Sequence, residues 1–253
     1  ISPTSLGLFY QDRDAYYMTY LSDNPVPREP QTQPMSVGSA FDVYVKKELS
    51  KDLGILFEGS VEEQVEAHNL EWALEHGKIV FDQYVASGAY ENVLGMIDRS
   101  IIKPRFEFQV CRELGDCVIL GKPDLYFVTE DEVRVVLDWK VNGYCAIRTT
   151  YPKGGYIQLW PDRVVHKDAQ LHRFGDLDIN ISKPFEAVDE RWARQLTMYA
   201  WSLGFDDKFV LQVEQLVCNS GVVKVATHRS RVSKEFEEGL RGMIIEMWDI
   251  IKS

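Results

Sequence analysis

The sequence lacks the features of a membrane-spanning or disulfide-bonded protein. No apolar run reaches the length of about 18 residues that suggests a transmembrane helix. The four cysteines form no Cys-x-x-Cys pair, so neither a zinc knuckle nor a redox motif is expected. Ile1 to Asp12 show no basic stretch followed by an apolar one, the pattern of a secretion signal. We therefore expect a reduced, cytoplasmic chain without a membrane partner.

Positive charge is also scarce. The chain has 28 basic and 39 acidic residues, which gives a formal net charge of -11. This balance argues against a protein that coats nucleic acid by bulk charge, but a local basic groove can coexist with it. With 253 residues, 45% of them hydrophobic and 26% charged, the composition is typical of a globular protein, and we expect one domain.

The most informative stretch runs from Gly121 to Lys140. Two apolar runs rich in β-branched residues flank a short acidic turn, a pattern that predicts a β-hairpin. Side chains alternate along a strand, so Asp138 and Lys140 share one face and Trp139 lies on the other. Asp124 opens the first strand, and hairpin pairing can bring its carboxylate close to that of Asp138. Two carboxylates and one ammonium group are thus expected together.

The charged residues Asp138 and Lys140 follow a strongly apolar strand, and their position there requires an explanation. An ionised aspartate is costly to bury unless it is paired or binds a metal. Asp138 and Lys140 could form a plain ion pair at the strand end. The nearby Asp124 favours a second interpretation, a site for Mg²⁺ or Mn²⁺, because these ions prefer hard oxygen ligands. Lys140 could then orient a water or stabilise negative charge on a phosphate.

These residues resemble a known active-site motif. Gly121-x-x-Asp124 followed by Asp138-x-Lys140 looks like the motif of the PD-(D/E)xK nuclease superfamily. Gln195-Leu-Thr-Met-Tyr199 is similar to the Gln-x-x-x-Tyr signature of its RecB-like and phage exonuclease branch. The opening helix and first motif of that branch have counterparts in two N-terminal segments, Ser2-Pro-Thr-Ser-Leu6 and Gly38-Ser-Ala-Phe-Asp42.

The resemblance implies a fold and a set of roles. The fold is α/β with a restriction-endonuclease-like core, a mixed central β-sheet flanked by helices. Asp124, Asp138 and the backbone carbonyl of Trp139 would hold one or two Mg²⁺ or Mn²⁺ ions, and Lys140 would position the attacking water or neutralise charge. No iron–sulfur cluster is expected, because the cysteine arrangement of cluster-containing relatives is missing.

Three further residues have roles under this resemblance. Asp42 stands where many relatives have a histidine ligand; it is either a metal ligand or an exposed acid near a helix N-terminus. Gln195 and Tyr199 lie one helical turn apart and share one face. Since neither is a strong acid or base, we expect them to support the site through hydrogen bonds.

A long connection of about 141–186 follows the hairpin, and we predict it to be irregular. From Val141 to Gly175 it has five basic residues against two acidic ones, interleaved with aromatics. That mixture suits a surface that follows a nucleic-acid backbone and stacks on bases, although packing of the loop on the core is an equal alternative. The predicted DNA contacts are Arg148, Tyr151, Lys153, Tyr156 and Trp160.

The remaining pattern places a helical part at 1–100 and the sheet core at 101–253, together one nuclease domain. Glu107, on a predicted strand over Arg105–Cys111, could face the site, but we expect it to face solvent. Further strands are predicted over Lys208–Cys218 and Val222–Arg231. Helices are predicted over Ser2–Leu21, Gly38–Leu49, Ser60–Tyr84, Val85–Arg99, Asp189–Leu203 and Ser233–Ile251.

The function we predict is metal-dependent hydrolysis of DNA phosphodiesters. The branch resemblance favours an exonuclease that acts on linear DNA ends, as in phage recombination or DNA processing. It would then work in the host cytoplasm with a recombination partner protein. Two alternatives stay open: a structure-specific or nicking endonuclease with the same residues, and a catalytically silent DNA-binding module. The sequence leaves the oligomeric state, polarity and strand preference open.

Overall fold

The computed structural model describes residues 1–142, 156–160, 162–167, 184–205, 209–219 and 221–253. They form a mixed α/β fold in which helices flank a central, mostly antiparallel sheet. The predicted fold class, a central sheet between helices, is confirmed. None of the helices in these ranges combines the length and the apolar character needed to cross a bilayer.

Eight α-helices occur in the described part of the chain. Most lie where the apolar spacing predicts them, with two differences. The helix predicted over Ser2–Leu21 is divided at Asp12, whose carboxylate caps the second piece by accepting the amide proton of Ala15 at 2.9 Å. The capping box at Ser60 and Glu63 is present, but its helix is short and a 3₁₀ turn follows. The bounds are α1 Pro3–Gln11, α2 Arg13–Tyr20, α3 Gln33–Asp52, α4 Val61–Gln64, α5 Leu70–Ala86, α6 Ala89–Asp98, α7 Glu190–Ser202 and α8 Lys234–Lys252.

Seven strands form the central sheet in the order β1-β4-β5-β8-β9-β6-β7. Among the described pairs, β5 and β8 are parallel and the others antiparallel. Strands β2 and β3 form a separate hairpin. The bounds are β1 Arg105–Phe106, β2 Val110–Leu114, β3 Cys117–Gly121, β4 Leu125–Val128, β5 Arg134–Asn142, β6 Tyr156–Trp160, β7 Arg163–Lys167, β8 Phe209–Asn219 and β9 Val222–Ser230.

Two predictions about the strands are wrong. The strand predicted over Arg105–Cys111 is broken at Glu107, whose φ of 44° lies in the left-handed region. As a result β1 and β2 join different sheets. The connection at about 141–186 is also more regular than predicted, because β6 and β7 within it extend the sheet beside β9. Pairing between such distant segments depends on tertiary contacts that local sequence patterns do not reveal.

The two faces of the sheet have different covers. On one face, α3, α5 and α6 pack on an apolar core that includes Phe41 and Tyr84, whose rings meet edge to face. On the other face, α7 packs on a second apolar core that includes Leu196, Val136 and Val213. Even-numbered residues of β5 point to the α7 side, so Asp138 and Lys140 lie beneath that helix.

Candidate active site

The β4–β5 hairpin brings Asp124 and Asp138 together. Leu125 of β4 pairs with Leu137 of β5 in an antiparallel ladder. Asp124, which precedes β4, therefore lies opposite Asp138, which follows Leu137 in β5. The Trp139 amide donates a hydrogen bond to Asp124 Oδ2 at 3.1 Å. Asp138 itself is buried, and its carboxylate forms an ion pair with Lys140 on the same strand face.

Lys140 is connected to α7 by a chain of hydrogen bonds. Its ammonium donates to Gln195 Oε1 at 2.8 Å, and Gln195 Nε2 donates to Tyr199 Oη at 2.8 Å. Since Gln195 and Tyr199 are one turn apart, both face the sheet from the same side of α7. The lysine is therefore held between an aspartate and an amide carbonyl, with its side chain about a quarter exposed.

Gly121 permits the close approach of β3 to α7. A Cβ atom at this position would lie 3.0 Å from Tyr199 Cδ1 and 3.1 Å from Ser202 Oγ. Any larger residue would push against the helix that carries Gln195 and Tyr199. The glycine of the Gly-x-x-Asp pattern thus has a packing role next to the site.

A cluster of three carboxylates lies beside Asp138. Asp42 from α3, Glu107 and Asp124 offer oxygen atoms that all lie within 4.8 Å of one another. The prediction that Glu107 faces solvent is wrong, because the left-handed backbone at this residue accompanies a side chain that points into the cluster. Asp42 lies in the middle of α3 and is mostly buried, so it is not an exposed acid at a helix N-terminus.

Lys46 is the residue in this cluster that the sequence interpretation missed. It follows Asp42 by one turn of α3, and its side chain is fully buried. Its ammonium forms ion pairs with Asp42, with Glu107 Oε1 at 2.6 Å and with Asp124 Oδ1 at 3.1 Å. The available signal was an Asp-x-x-x-Lys spacing on a helix face that otherwise carries core residues.

Burial and charge shift the pKa values of these acids in different directions. Burial, reinforced by the neighbouring Asp124, raises the pKa of Asp138 to about 7. Burial also acts to raise the pKa of Asp124, but the Lys46 charge and hydrogen bonds outweigh it and lower that pKa to about 2. Desolvation and the Asp124 charge raise the pKa of Asp42. Burial acts to raise the pKa of Glu107 as well, but hydrogen bonds and the charge of Lys46 outweigh it and lower that pKa to about 2.

The donor atoms fit a divalent cation. Three carboxylates within reach of one another are the hard oxygen ligands that Mg²⁺ and Mn²⁺ prefer. Two of the predicted ligands, Asp42 and Asp124, belong to this group, and Glu107 joins them. Asp138 forms an ion pair with Lys140. A side-chain hydrogen bond between Asp138 and Asp124 connects this pair to the cluster. Asp138 and the backbone carbonyl of Trp139 are not part of this group of three, and their role as metal ligands stays a prediction.

The predicted DNA contacts divide into two groups. Arg148, Tyr151 and Lys153 lie outside the described residues. Tyr156 and Trp160 lie in β6, on the sheet face that also carries Lys140. Tyr156 is partly buried and Trp160 is exposed.

The strand register connects Lys140 to Tyr156 in one row across the sheet. Lys140 pairs with Gln215, Gln215 with Ala226, and Ala226 with Tyr156. Three strand spacings separate the row's two ends, a distance of about 14 Å. The ammonium of Lys224, one residue pair further along this face, lies 4.6 Å from the centre of the Tyr156 ring. A basic and aromatic surface thus continues from the site.

A cavity of about 500 Å³ adjoins the site on its other side. The first turn of α1 and the β2–β3 hairpin form its walls. Tyr199 and Lys122 border it, and both also contact the site: Tyr199 through Gln195, and Lys122 through Glu107 Oε2 at 3.3 Å. The remaining polar lining includes Ser2, Thr4 and Gln109.

No protein-family model and no curated protein matches this sequence. Among solved structures, a provisionally assigned exonuclease from Eubacterium rectale is similar, with 13% sequence identity and a TM-score of 0.48 over 99% of this chain and 79% of the other. The protein SSO0001 is similar with 13% identity and a TM-score of 0.30, over 83% of this chain and 85% of the other.

Proposed function

We propose that this protein is a divalent-metal-dependent deoxyribonuclease that hydrolyses phosphodiester bonds at DNA ends. The observation that carries the proposal is the grouping of Asp124, Asp138 and Lys140 beside the carboxylates of Asp42 and Glu107. Four acids converging on one place in a fold are costly unless cations compensate them, and a nuclease needs cations where it holds a phosphate.

Asp42, Glu107 and Asp124 would hold the metal, with Asp138 and the Trp139 carbonyl as further ligands. When bound, Mg²⁺ or Mn²⁺ polarises a phosphate and lowers the pKa of a coordinated water. One or two ions are compatible with this number of carboxylates.

The chain's own residues supply orientation and charge. Lys140 carries its ammonium to the edge of the site, where it can donate to a phosphate oxygen or to the attacking water. Asp138 and Gln195 fix the direction of that ammonium, and Tyr199 fixes the amide of Gln195. We assign Asp138 and Lys140 direct roles, and Gln195 and Tyr199 roles in positioning.

The surroundings of the site suit a nucleic-acid substrate. The surface of Tyr156, Trp160 and Lys224 combines ring faces with positive charge, which is how proteins commonly follow a single strand. The cavity beside Tyr199 is large enough to hold the terminal nucleotide of a DNA strand. These features support DNA as the substrate, and Arg148, Tyr151 and Lys153 remain proposed contacts.

Several finer assignments rest on the resemblance to the RecB-like and phage exonuclease branch. They are a preference for ends over internal sites, a role in phage recombination or DNA processing with a partner protein, and a cytoplasmic location. A single nuclease domain with a restriction-endonuclease-like core is part of the same proposal.

A second candidate function has one observation in its favour. Lys46 already neutralises the acids that would hold the metal, which is what a catalytically silent DNA-binding module would need. Such a module would bind DNA without turnover. The buried carboxylate of Asp138 beside Lys140 favours the nuclease, because a module that only binds DNA has no use for a buried acid next to a phosphate-binding lysine.

The test is digestion of end-labelled linear double-stranded, single-stranded and closed circular DNA with Mg²⁺, Mn²⁺ or EDTA. The native chain is compared with Lys140→Ala, and Lys78→Ala on α5 is the matched surface control. We expect loss of the linear substrates only, abolished by EDTA and by Lys140→Ala. Cutting of closed circles would replace the exonuclease with the endonuclease alternative. Absence of metal-dependent turnover on every substrate would favour the binding module.

A further inference from the structure

Lys46 provides a cation from the protein itself at the centre of the acidic cluster. Its side chain is fully buried, and the carboxylates that surround it come from α3, from the kinked residue Glu107 and from the start of β4. An ammonium group in such a place is stable only when its charge is well paired. Here one ammonium serves three acids that are distant in sequence.

Lys46 contacts the same three carboxylates that would hold a metal. Its ammonium donates to one oxygen each of Asp42, Glu107 and Asp124. The second oxygen of Asp124 accepts the Trp139 amide proton, and that of Glu107 faces Lys122. A divalent ion bound by all three carboxylates would lie beside the ammonium and share their negative charge with it, and two cations repel each other at such distances.

We infer that the Lys46 ammonium competes with a divalent cation for the carboxylates of Asp42, Glu107 and Asp124, and so lowers the metal affinity of this cluster. The inference deepens the proposed metal dependence and rests on it. Lys46 keeps the acids paired when no metal is bound, and metal binding separates it from at least part of the cluster. In the metal-free site, the Lys46 ammonium is thus the counter-ion of the three carboxylates.

The direct test is titration of Mn²⁺ into the protein by calorimetry, without DNA. Lys46→Met keeps most of the length of the unbranched side chain and removes its charge. We expect it to bind Mn²⁺ at least about tenfold more tightly than the native chain, a difference of about 1.4 kcal/mol. Lys51→Met, on the same helix and paired at the surface with Glu48, is the control and should keep the native affinity. An affinity of Lys46→Met equal to or weaker than the native one overturns the inference.

Thermal unfolding supplies a second readout. Lys46→Met leaves buried carboxylates without their ammonium, so it should be less stable than the native chain in EDTA and gain more from Mn²⁺. If the variant does not fold, the comparison of Asp42→Asn with Asp42→Asn/Lys46→Met replaces it, because the double variant loses one acid and one base together. Tighter Mn²⁺ binding by the double variant is then expected, and equal binding would reject the competition.

The outcomes separate this inference from the proposed function. Tight Mn²⁺ binding by Lys46→Met, with no DNA hydrolysis by the native chain, rejects the nuclease and leaves the competition standing. Metal-dependent hydrolysis by the native chain, with unchanged Mn²⁺ affinity in Lys46→Met, rejects only the competition.

Discussion

The ammonium of Lys140 in β5 donates a hydrogen bond of 2.8 Å to the side-chain carbonyl of Gln195 in α7. This bond joins the sheet to the helix that covers it, at the point where Asp138 supplies the opposite charge. The orientation of Lys140 thus depends on two elements that are separated by the long connection after β5. Substitutions on α7 should consequently affect chemistry at the sheet.

Replacing Gln195 with alanine should lower turnover. The ammonium of Lys140 loses one of the groups that direct it, and loss of such a supporting contact typically costs on the order of 10- to 100-fold. We expect kcat on linear DNA to fall by this factor while KM stays close to the native value. Tyr199→Phe, which removes only the hydroxyl behind Gln195, should have a smaller effect. A native kcat in Gln195→Ala would show that Lys140 needs no help from α7.

Removing the acid of Glu107 should weaken metal binding. Glu107→Gln keeps the shape of the side chain but takes one negative oxygen donor from the cluster. Mn²⁺ affinity, measured by calorimetry, should fall by at least about tenfold. Glu113→Gln on the exposed side of β2 is the matched control. Equal affinities in the two variants would mean that the metal binds elsewhere.

A side chain at Gly121 should destabilise the fold. The added methyl group of Gly121→Ala would press on Tyr199 and Ser202, and such overpacking costs roughly 1–3 kcal/mol. Urea unfolding should show the loss. Gly7→Ala, in a helix where a Cβ meets nothing within 4 Å, should be neutral or stabilising. A neutral Gly121→Ala would indicate that α7 moves away easily.

The stability of the protein should fall in acid because of His228. Burial lowers the pKa of this histidine from its usual value of 6.5 to about 4, so the unfolded chain takes up its proton first. The stabilisation from the neutral ring is complete above about pH 6.5 and is lost towards pH 4, by up to about 3 kcal/mol. Urea unfolding across this range should show a smaller decrease for His228→Gln, which keeps a polar group near Gln215. Parallel curves for the two proteins would contradict this assignment.

The surface beyond Lys140 should bind single-stranded DNA. Tyr156→Ser removes a ring that can stack on a base, a contact worth about 1–3 kcal/mol. Affinity for a fluorescent oligonucleotide, measured by anisotropy in EDTA, should fall accordingly. Lys224→Ser should weaken binding mainly at low salt. Lys78→Ser, on α5 at the opposite sheet face, is the control, and equal affinities in all variants would place the DNA elsewhere.

The local parts of the site could be predicted from the residue pattern alone. The β4–β5 hairpin follows from two apolar runs and a short turn, and its register brings Asp124 to Asp138. The strand period puts Lys140 on the same face as Asp138. Helical spacing likewise puts Gln195 and Tyr199 on one side of α7. Each of these relationships spans few residues, so periodicity and turn chemistry are enough to predict it.

The contacts between distant segments could not be predicted in this way, because they form only in the folded chain. Glu107 reaches the cluster because its backbone adopts a left-handed φ angle, which no local sequence pattern predicts. The expectation that this residue faces solvent was therefore wrong. Lys46 is buried because three acids from different elements converge on it. Strand β6 takes its place beside β9 through backbone hydrogen bonds to a segment far along the chain, and β7 then pairs with β6. Residue periodicity reports which face of an element is apolar, whereas these contacts depend on which elements pack together in the folded chain.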